Sequence, residues 1–216
     1  EKAVAFGINA EGIFGFWDWV GGRFSVSSAA GAVPLALHYG FNVFEMFLKG
    51  AHDMDKHFLM AEPLQNLPLL MGLLAVWNLS CLGYKAYAIL PYSQALLRFV
   101  SHVQQLDMES NGKNVQMHGG ATTVATGGVY FGEPGTNGQH SFYQLLHQGR
   151  KVPAEFIGFR DPQVRGNPSK GIELTESTIA TMAQHDELMA NFFAQPEALA
   201  LGLSEQELSA AQKLNG

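Results

Sequence analysis

The stretch Lys85-Ala86-Tyr87-Ala88-Ile89-Leu90, bounded by Gly83 in front and Pro91 behind, decides how the rest of the chain reads. It is a short, largely apolar run between turn residues, which predicts a strand rather than a helix. Ser93 to Leu106 follows with Leu96, Phe99, Val100 and Val103 in helical spacing, so the pair reads as strand then helix. The alternation repeats downstream. Gly128 to Gly132 is a strand candidate, Gln139 to His147 a helix, Val152 to Phe159 a strand, and Thr178 to Leu201 a helix broken by Pro196. Strands alternating with helices predict an α/β class: a doubly wound, mainly parallel sheet flanked by helices.

Upstream of Lys85 the pattern is helical. Residues up to about Arg23 are rich in aromatics and glycine. Val26 to Tyr39 reads as a helix stopping near Gly40, with further helices over Asn42 to Phe58 and Leu69 to Leu82. Arg160 to Gly171 is polar and turn-rich, hence a surface loop, and Ser204 to Glu207 is a capping box opening a last short helix.

Composition limits the function classes. With 216 residues, 47% hydrophobic and only 15% charged, the chain must bury a sizeable core or present apolar surface to a partner. A net charge of −6 without a Lys/Arg cluster excludes a nucleic-acid partner, which needs a basic face. Cys81 is the one cysteine, so no intrachain disulfide or zinc cage exists; a reducing, cytoplasmic setting is expected, and Cys81 reads as a core residue. The amino terminus shows no signal-peptide pattern and reads as a cut end. The uncharged run Leu64 to Tyr84 contains Gln65, Asn66, Pro68, Asn78 and Ser80, which favours a buried core helix over a membrane span.

In an open parallel sheet the ligand lies beyond the carboxyl ends of the strands, so segments following strands are where chemistry is sought. Gln104 to Lys113 offers Asp107 and Glu109. Being two apart on a helix they point to different sides, so one carboxylate at most works on a given carbon. It would act as a general base on a carbon acid beside a carbonyl, unless the pair is simply a solvated helix end. The glycine-rich turn Gly132 to His140 feeds a helix with His140 in its first turn; it lacks the Gly-Lys-Ser/Thr of a Walker loop and the dinucleotide glycine spacing. Its free N–H groups could hold an anion, and His140 could carry a proton. His147 reads as a satisfied structural histidine. At Gly21-Gly22-Arg23 the backbone can approach a ligand while the guanidinium stabilises an oxyanion, or the arginine only fixes the turn. The cluster His52 to His57 is not a metal site, because at most two of its side chains share a helix face where zinc needs three or four ligands.

Four strings, FWDWVGGRFS at Phe16 to Ser25, QQLDMESNGK at Gln104 to Lys113, GEPGTNGQHSFYQLLHQG at Gly132 to Gly149 and NFFAQPEAL at Asn191 to Leu199, closely resemble the glucose-6-phosphate isomerase family, in its order and approximate spacing. The resemblance is weakest between Asn114 and Thr126 and between Arg160 and Glu187. It implies sugar-isomerase (SIS-type) domains, with residues 1–62 ending a first domain and 63–216 forming most of a second. The implied activity is aldose-ketose isomerisation of glucose 6-phosphate and fructose 6-phosphate through a cis-enediol, without cofactor or metal. By motif position Glu109 matches the family's base. His140 matches a histidine of ring opening contributed across a homodimer interface. Arg23 matches an arginine near the enediolate, Gly22 its adjoining backbone contact, and Gln105 a substrate-binding glutamine.

The family is usually more than twice this length. Its phosphate-gripping serine/threonine loop is expected upstream of this segment and a lysine downstream, so the segment alone is expected to be inactive. Phe131 and Gly128 stand where tryptophan and proline are common. Two other roles remain as alternatives from the sequence, a broader isomerase that also accepts mannose 6-phosphate and a cytokine-like extracellular factor.

Overall fold

The computed structural model describes residues 2–162, 176–207 and 209. The chain divides into two compact units, Glu1–Leu73 and Leu74–Gly216. In the first, a short helix α1 (Lys2–Ala5) and a 3₁₀ turn precede a second 3₁₀ segment, Gly22–Ser27. The Ser28 hydroxyl accepts the Ala30 N–H and so caps helix α2 (Ala29–Tyr39), which ends at Gly40. Helix α3 (Phe41–Met60) begins directly after that glycine, and α2 and α3 pack together. Helix α4 (Leu67–Val76) carries the chain out of this unit and widens into a π turn over Trp77–Cys81.

Among the described residues of this unit, Phe44 is the buried large hydrophobic, while Trp17, Trp19, Phe24, Leu37 and Met60 stay exposed. The expected core helix over the Leu64 to Tyr84 run is therefore corrected: α4 buries none of its residues. Periodicity reports apolar character and cannot say which element will cover it. Cys81, expected in a core, is exposed at the end of the π turn.

The second unit holds a three-stranded parallel sheet in the order β2-β1-β3, built from β1 (Ala86–Pro91), β2 (Val129–Phe131) and β3 (Ala154–Ile157). Tyr87 lies opposite Tyr130, and Ile89 opposite Glu155. Between β1 and β2 runs helix α5 (Phe99–Val103), which continues as a π turn over Gln104–Glu109. Between β2 and β3 come α6 (Gly135–Gln139) and α7 (Tyr143–Gln148), and α8 (Glu176–Leu201) follows β3. The two crossovers leave in opposite directions across the sheet, and right-handed connections then place their helices on opposite faces. That is the doubly wound arrangement expected from the sequence.

The core lies on the face covered by α6 and α7, where Ala88 and Leu90, both 0% exposed, pack with Tyr143, Phe142, Leu146 and Phe156. The last four residues of β1 are buried, as a central strand covered on both faces requires.

Two element boundaries differ from expectation. The helix predicted over Gln139 to His147 is two short helices with His140 between them. Helix α8 passes through Pro196 to Leu201 instead of breaking there; the proline removes one ladder bond, and the helix continues without it. Most of the predicted Arg160 to Gly171 loop lies outside the described residues. The capping box forms as read: Glu207 N–H donates to the Ser204 hydroxyl (3.3 Å) and Ser204 N–H to the Glu207 carboxylate (2.8 Å), which holds that carboxyl below its ordinary pKa.

Gly132, immediately after β2, has φ of 151°, and a Cβ there would sit 1.9 Å from the Ile89 carbonyl oxygen. That oxygen belongs to the buried central strand and cannot move aside. Gly132→Ala, in a full-length protein containing this chain, should destabilise by more than about 3 kcal/mol, seen as a lowered urea midpoint. An unchanged midpoint would show that β1 and β2 are not tightly opposed here.

Candidate functional site

Segment Gln104–Glu109 is a π turn, a geometry rare in helices and frequent at functional sites. Gln105 and Glu109 are four apart, stacked one turn from each other, and both are exposed. Gln104 and Asp107 are half-buried and belong to the sheet-facing side. The Gln104 amide donates to the Tyr130 carbonyl of β2 at 2.8 Å. Asp107 accepts from Asn111 Nδ2 at 2.5 Å and interacts with the Tyr130 hydroxyl. Beyond the turn, Lys113 Nζ donates to the Glu109 carbonyl (2.5 Å), and Thr126 Oγ1 to the Lys113 carbonyl (2.5 Å). The chain around Glu109 is thus tied to the strand beside it and to the loop entering that strand.

The sheet face under this turn is polar and aromatic. The Tyr130 and Tyr87 rings are 5.7 Å apart, and the Tyr87 hydroxyl donates to Glu155 at 3.1 Å. Burial, helped by the neighbouring Glu155 charge and that hydrogen bond, pushes the Tyr87 hydroxyl up to about 12. Burial raises Tyr130 further, with Asp107 adding to it. Burial also raises the Glu155 carboxyl above the ordinary carboxylate range, against the opposing pull of the Tyr87 hydrogen bond. None of this network was visible in the sequence, although the alternation that places Tyr87 and Ile89 on one face, beside Tyr130 and Glu155, could have found it.

His140 is exposed and forms the carboxyl-terminal cap of α6, its N–H donating to the Asn137 carbonyl at 3.0 Å. The glycines before it serve packing. A Cβ on Gly135 would meet the Tyr92 ring at 2.2 Å, and one on Gly138 would meet Tyr143 at 2.8 Å. Tyr92 and Tyr143 pair through their hydroxyls at 3.3 Å, and Gln139 donates to Tyr92 at 3.1 Å. The anion-holding reading of this turn finds no support in a helix of five residues packed so closely on two tyrosines. His147 Nε2 bonds Gln195 at 2.9 Å, the structural role expected of it. His57 Nε2 accepts the Leu67 N–H at 3.1 Å and so caps α4.

Glu109 and His140 do not converge within one chain. A Cβ on Gly127, just ahead of β2, would lie 3.4 Å from the Gly112 nitrogen and 3.7 Å from the Asn111 carbonyl carbon, which puts the segment after Glu109 near the amino edge of the sheet. His140 follows β2 and sits on α6, against Tyr92 at the carboxyl edge. His140 follows β2 directly, whereas Glu109 comes after α5, which carries the chain back along the sheet. A cavity of about 190 Å³ does open at the carboxyl edge between β1 and β3, lined by Tyr92, Ser93, Gln94, Phe159 and His185 among others. It is smaller than the roughly 300 Å³ of the smallest ligand pockets. Gly22 and Arg23 lie in the first unit, where Gly22 has φ of 53° and its carbonyl accepts from Ser25 Oγ at 2.8 Å. The Arg23 guanidinium lies 5.4 Å from the Phe24 ring centroid. Among the described residues no helix is long and apolar enough to cross a membrane.

The model of a family described as phosphoglucose isomerase matches residues 1–215. The cytosolic B glucose-6-phosphate isomerase of Oryza sativa subsp. japonica is 54% identical over 208 residues, 96% of this chain and 35% of that protein. The cytosolic glucose-6-phosphate isomerase of Arabidopsis thaliana is 54% identical over 203 residues, again 35% of its length. The chain therefore spans about 35% of the length of these curated relatives. Among solved structures, a glucose-6-phosphate isomerase from Chlamydia trachomatis superposes with a TM-score of 0.72 at 43% identity, over 87% of this chain and 34% of its own. A hypothetical protein from Thermus thermophilus gives a TM-score of 0.57 at 26% identity, over 85% of this chain and 42% of its own.

Glu155 yields a pH test. Its folded pKa lies above its unfolded value, so the folded state binds the proton more readily, and stability is lost as pH rises through that window. Glu155→Gln, whose amide oxygen still accepts from Tyr87, should melt higher than wild type at neutral pH. The difference should shrink to nothing below the ordinary carboxylate range. Parallel melting curves would sink this reading of Glu155 if the gap were the same at all pH values.

Proposed function

The chain belongs to the phosphoglucose isomerase family, and from that premise we propose that a full-length protein carrying it interconverts glucose 6-phosphate and fructose 6-phosphate in the cytosol. The observation that carries the proposal is the joint presentation of Gln105 and Glu109 on the open side of one π turn. Moving a proton between C2 and C1 of an opened sugar needs one group that takes it from one carbon and returns it to the other. A carboxylate on a turn tied to a strand is such a group, and Gln105 beside it offers an amide to the sugar. The intermediate is an enediolate, whose negative charge a guanidinium such as Arg23 stabilises, with the Gly22 backbone beside it.

His140 acts in ring opening, and in this reading it serves the site of a second subunit. Its place at the sheet edge away from Glu109 supports that assignment. The whole is a homodimer of two-domain subunits working in glycolysis and gluconeogenesis. Residues 1–62 end the first sugar-isomerase domain and 63–216 form most of the second. Cofactor and metal take no part, since the transfer runs between carbon and carboxylate.

Two measurements test the assignments on the full-length protein. Glu109→Gln preserves size and hydrogen-bonding shape and deletes the base, so turnover should fall by about 10² to 10⁴, with fructose 6-phosphate binding retained. In deuterated water the variant should leave almost no deuterium in recovered sugar, and wild-type incorporation would move the base elsewhere. The second measurement mixes inactive Glu109→Gln and His140→Gln subunits after unfolding and refolding together. If His140 works across the interface, one site of each mixed dimer is intact and about a quarter of wild-type activity returns. No recovery would place His140 in its own subunit's site.

A further inference from the structure

The π turn presents its two working side chains outward, and what holds it lies on its other side. Gln105, Leu106, Met108 and Glu109 are exposed, whereas Gln104 and Asp107 are half-buried toward the sheet. A π turn is rare in a helix, so its persistence calls for restraint from outside. Among the described residues the order β2-β1-β3 places β2 at one end of the sheet, with β1 as its strand neighbour. Gln104 donates to that strand's Tyr130 carbonyl at 2.8 Å.

A second attachment lies three residues on. Asp107 interacts with the Tyr130 hydroxyl and takes a 2.5 Å bond from Asn111. The Tyr130 ring is itself backed by Tyr87, 5.7 Å away, and Tyr87 by its 3.1 Å bond to Glu155 on β3. The line of contacts crosses all three strands and ends two residues from Glu109. Burial raises the Tyr130 hydroxyl far above neutrality, so it stays a donor wherever the enzyme works.

Building on the isomerase reading above, we infer that Gln104 is a positioning residue: its bond to the Tyr130 carbonyl, seconded by the Tyr130 hydroxyl on Asp107, sets the rotation of the π turn and so aims Gln105 and Glu109 at the sugar. One residue of β2 thus anchors the turn twice, through its backbone and through its side chain. A rotation of the turn would displace the Glu109 carboxylate by an ångström or more, and a misplacement of about 1 Å can cost 10²-fold in rate.

The test uses the full-length protein with two variants. Gln104→Met keeps side-chain length and removes the amide, and Tyr130→Phe keeps the ring against Tyr87 and removes only the hydroxyl. For Gln104→Met we expect kcat to fall by about 10- to 100-fold with KM for fructose 6-phosphate within about threefold. The turnovers that proceed should incorporate more deuterium from deuterated water, because a misaimed carboxylate holds the proton longer before returning it. Tyr130→Phe should show the same pattern more weakly, and the double variant should lose less than the product of the two effects, since both anchors hold one turn. A purely structural glutamine would lower the melting temperature and the yield of active enzyme while leaving deuterium incorporation per turnover as in wild type; that outcome overturns the inference. So does a kcat within twofold of wild type for both variants. A wild type that converts neither sugar phosphate overturns the isomerase reading and this inference with it.

Discussion

Strand β1 has a parallel neighbour on each side, and the rest of the second unit follows from that constraint. Both edges of its backbone bond to other strands, and both of its faces must be covered, so its last four residues are buried and mainly apolar. Because β2 and β3 lie on opposite sides of it, the connections leave in opposite directions, and the handedness of crossovers sends their helices to opposite faces. One face receives α6 and α7 and closes over Ala88, Leu90, Tyr143 and Phe156. The other receives α5 with its π turn and carries Tyr87, Tyr130 and Glu155. The division between an apolar core face and a polar, aromatic face is therefore a result of strand order.

The motif strings that carry the family resemblance divide their labour in the same way. In the Gly132–Gly149 string the glycines are packing residues: Gly132 lets β2 pass the Ile89 carbonyl, and Gly135 and Gly138 lie against the tyrosines Tyr92 and Tyr143. His140 is what that packing exposes. In the Gln104–Lys113 string Gln104, Asp107 and Lys113 hold backbone or strand, and Gln105 and Glu109 face out. In both strings packing residues and an exposed polar side chain lie within a few positions of one another.

Separating Glu109 and His140 onto opposite edges of one sheet has a physical consequence. A sheet with a helix layer on each face is rigid, so the two groups cannot approach one another by small adjustments. In the first unit Trp17, Trp19 and Leu37 are exposed.

The sequence by itself determined the alternation of strands and helices, the parallel α/β class, the capping box at Ser204 and Glu207, and, through the four strings, the family. These are local properties: apolar period, turn residues and caps act over a few neighbours. Only the tertiary structure decided that Gln104–Glu109 is a π turn, since Gln104 is bonded to Tyr130, 26 residues away in sequence. It also decided that His140 stands between two helices rather than at the start of one, because Gly135 and Gly138 fit against Tyr92 and Tyr143, contacts that no spacing rule contains. Helix α4 went the same way: its apolar residues were legible, but whether they meet a partner or solvent depends on what lies across from them, which a one-dimensional pattern does not encode.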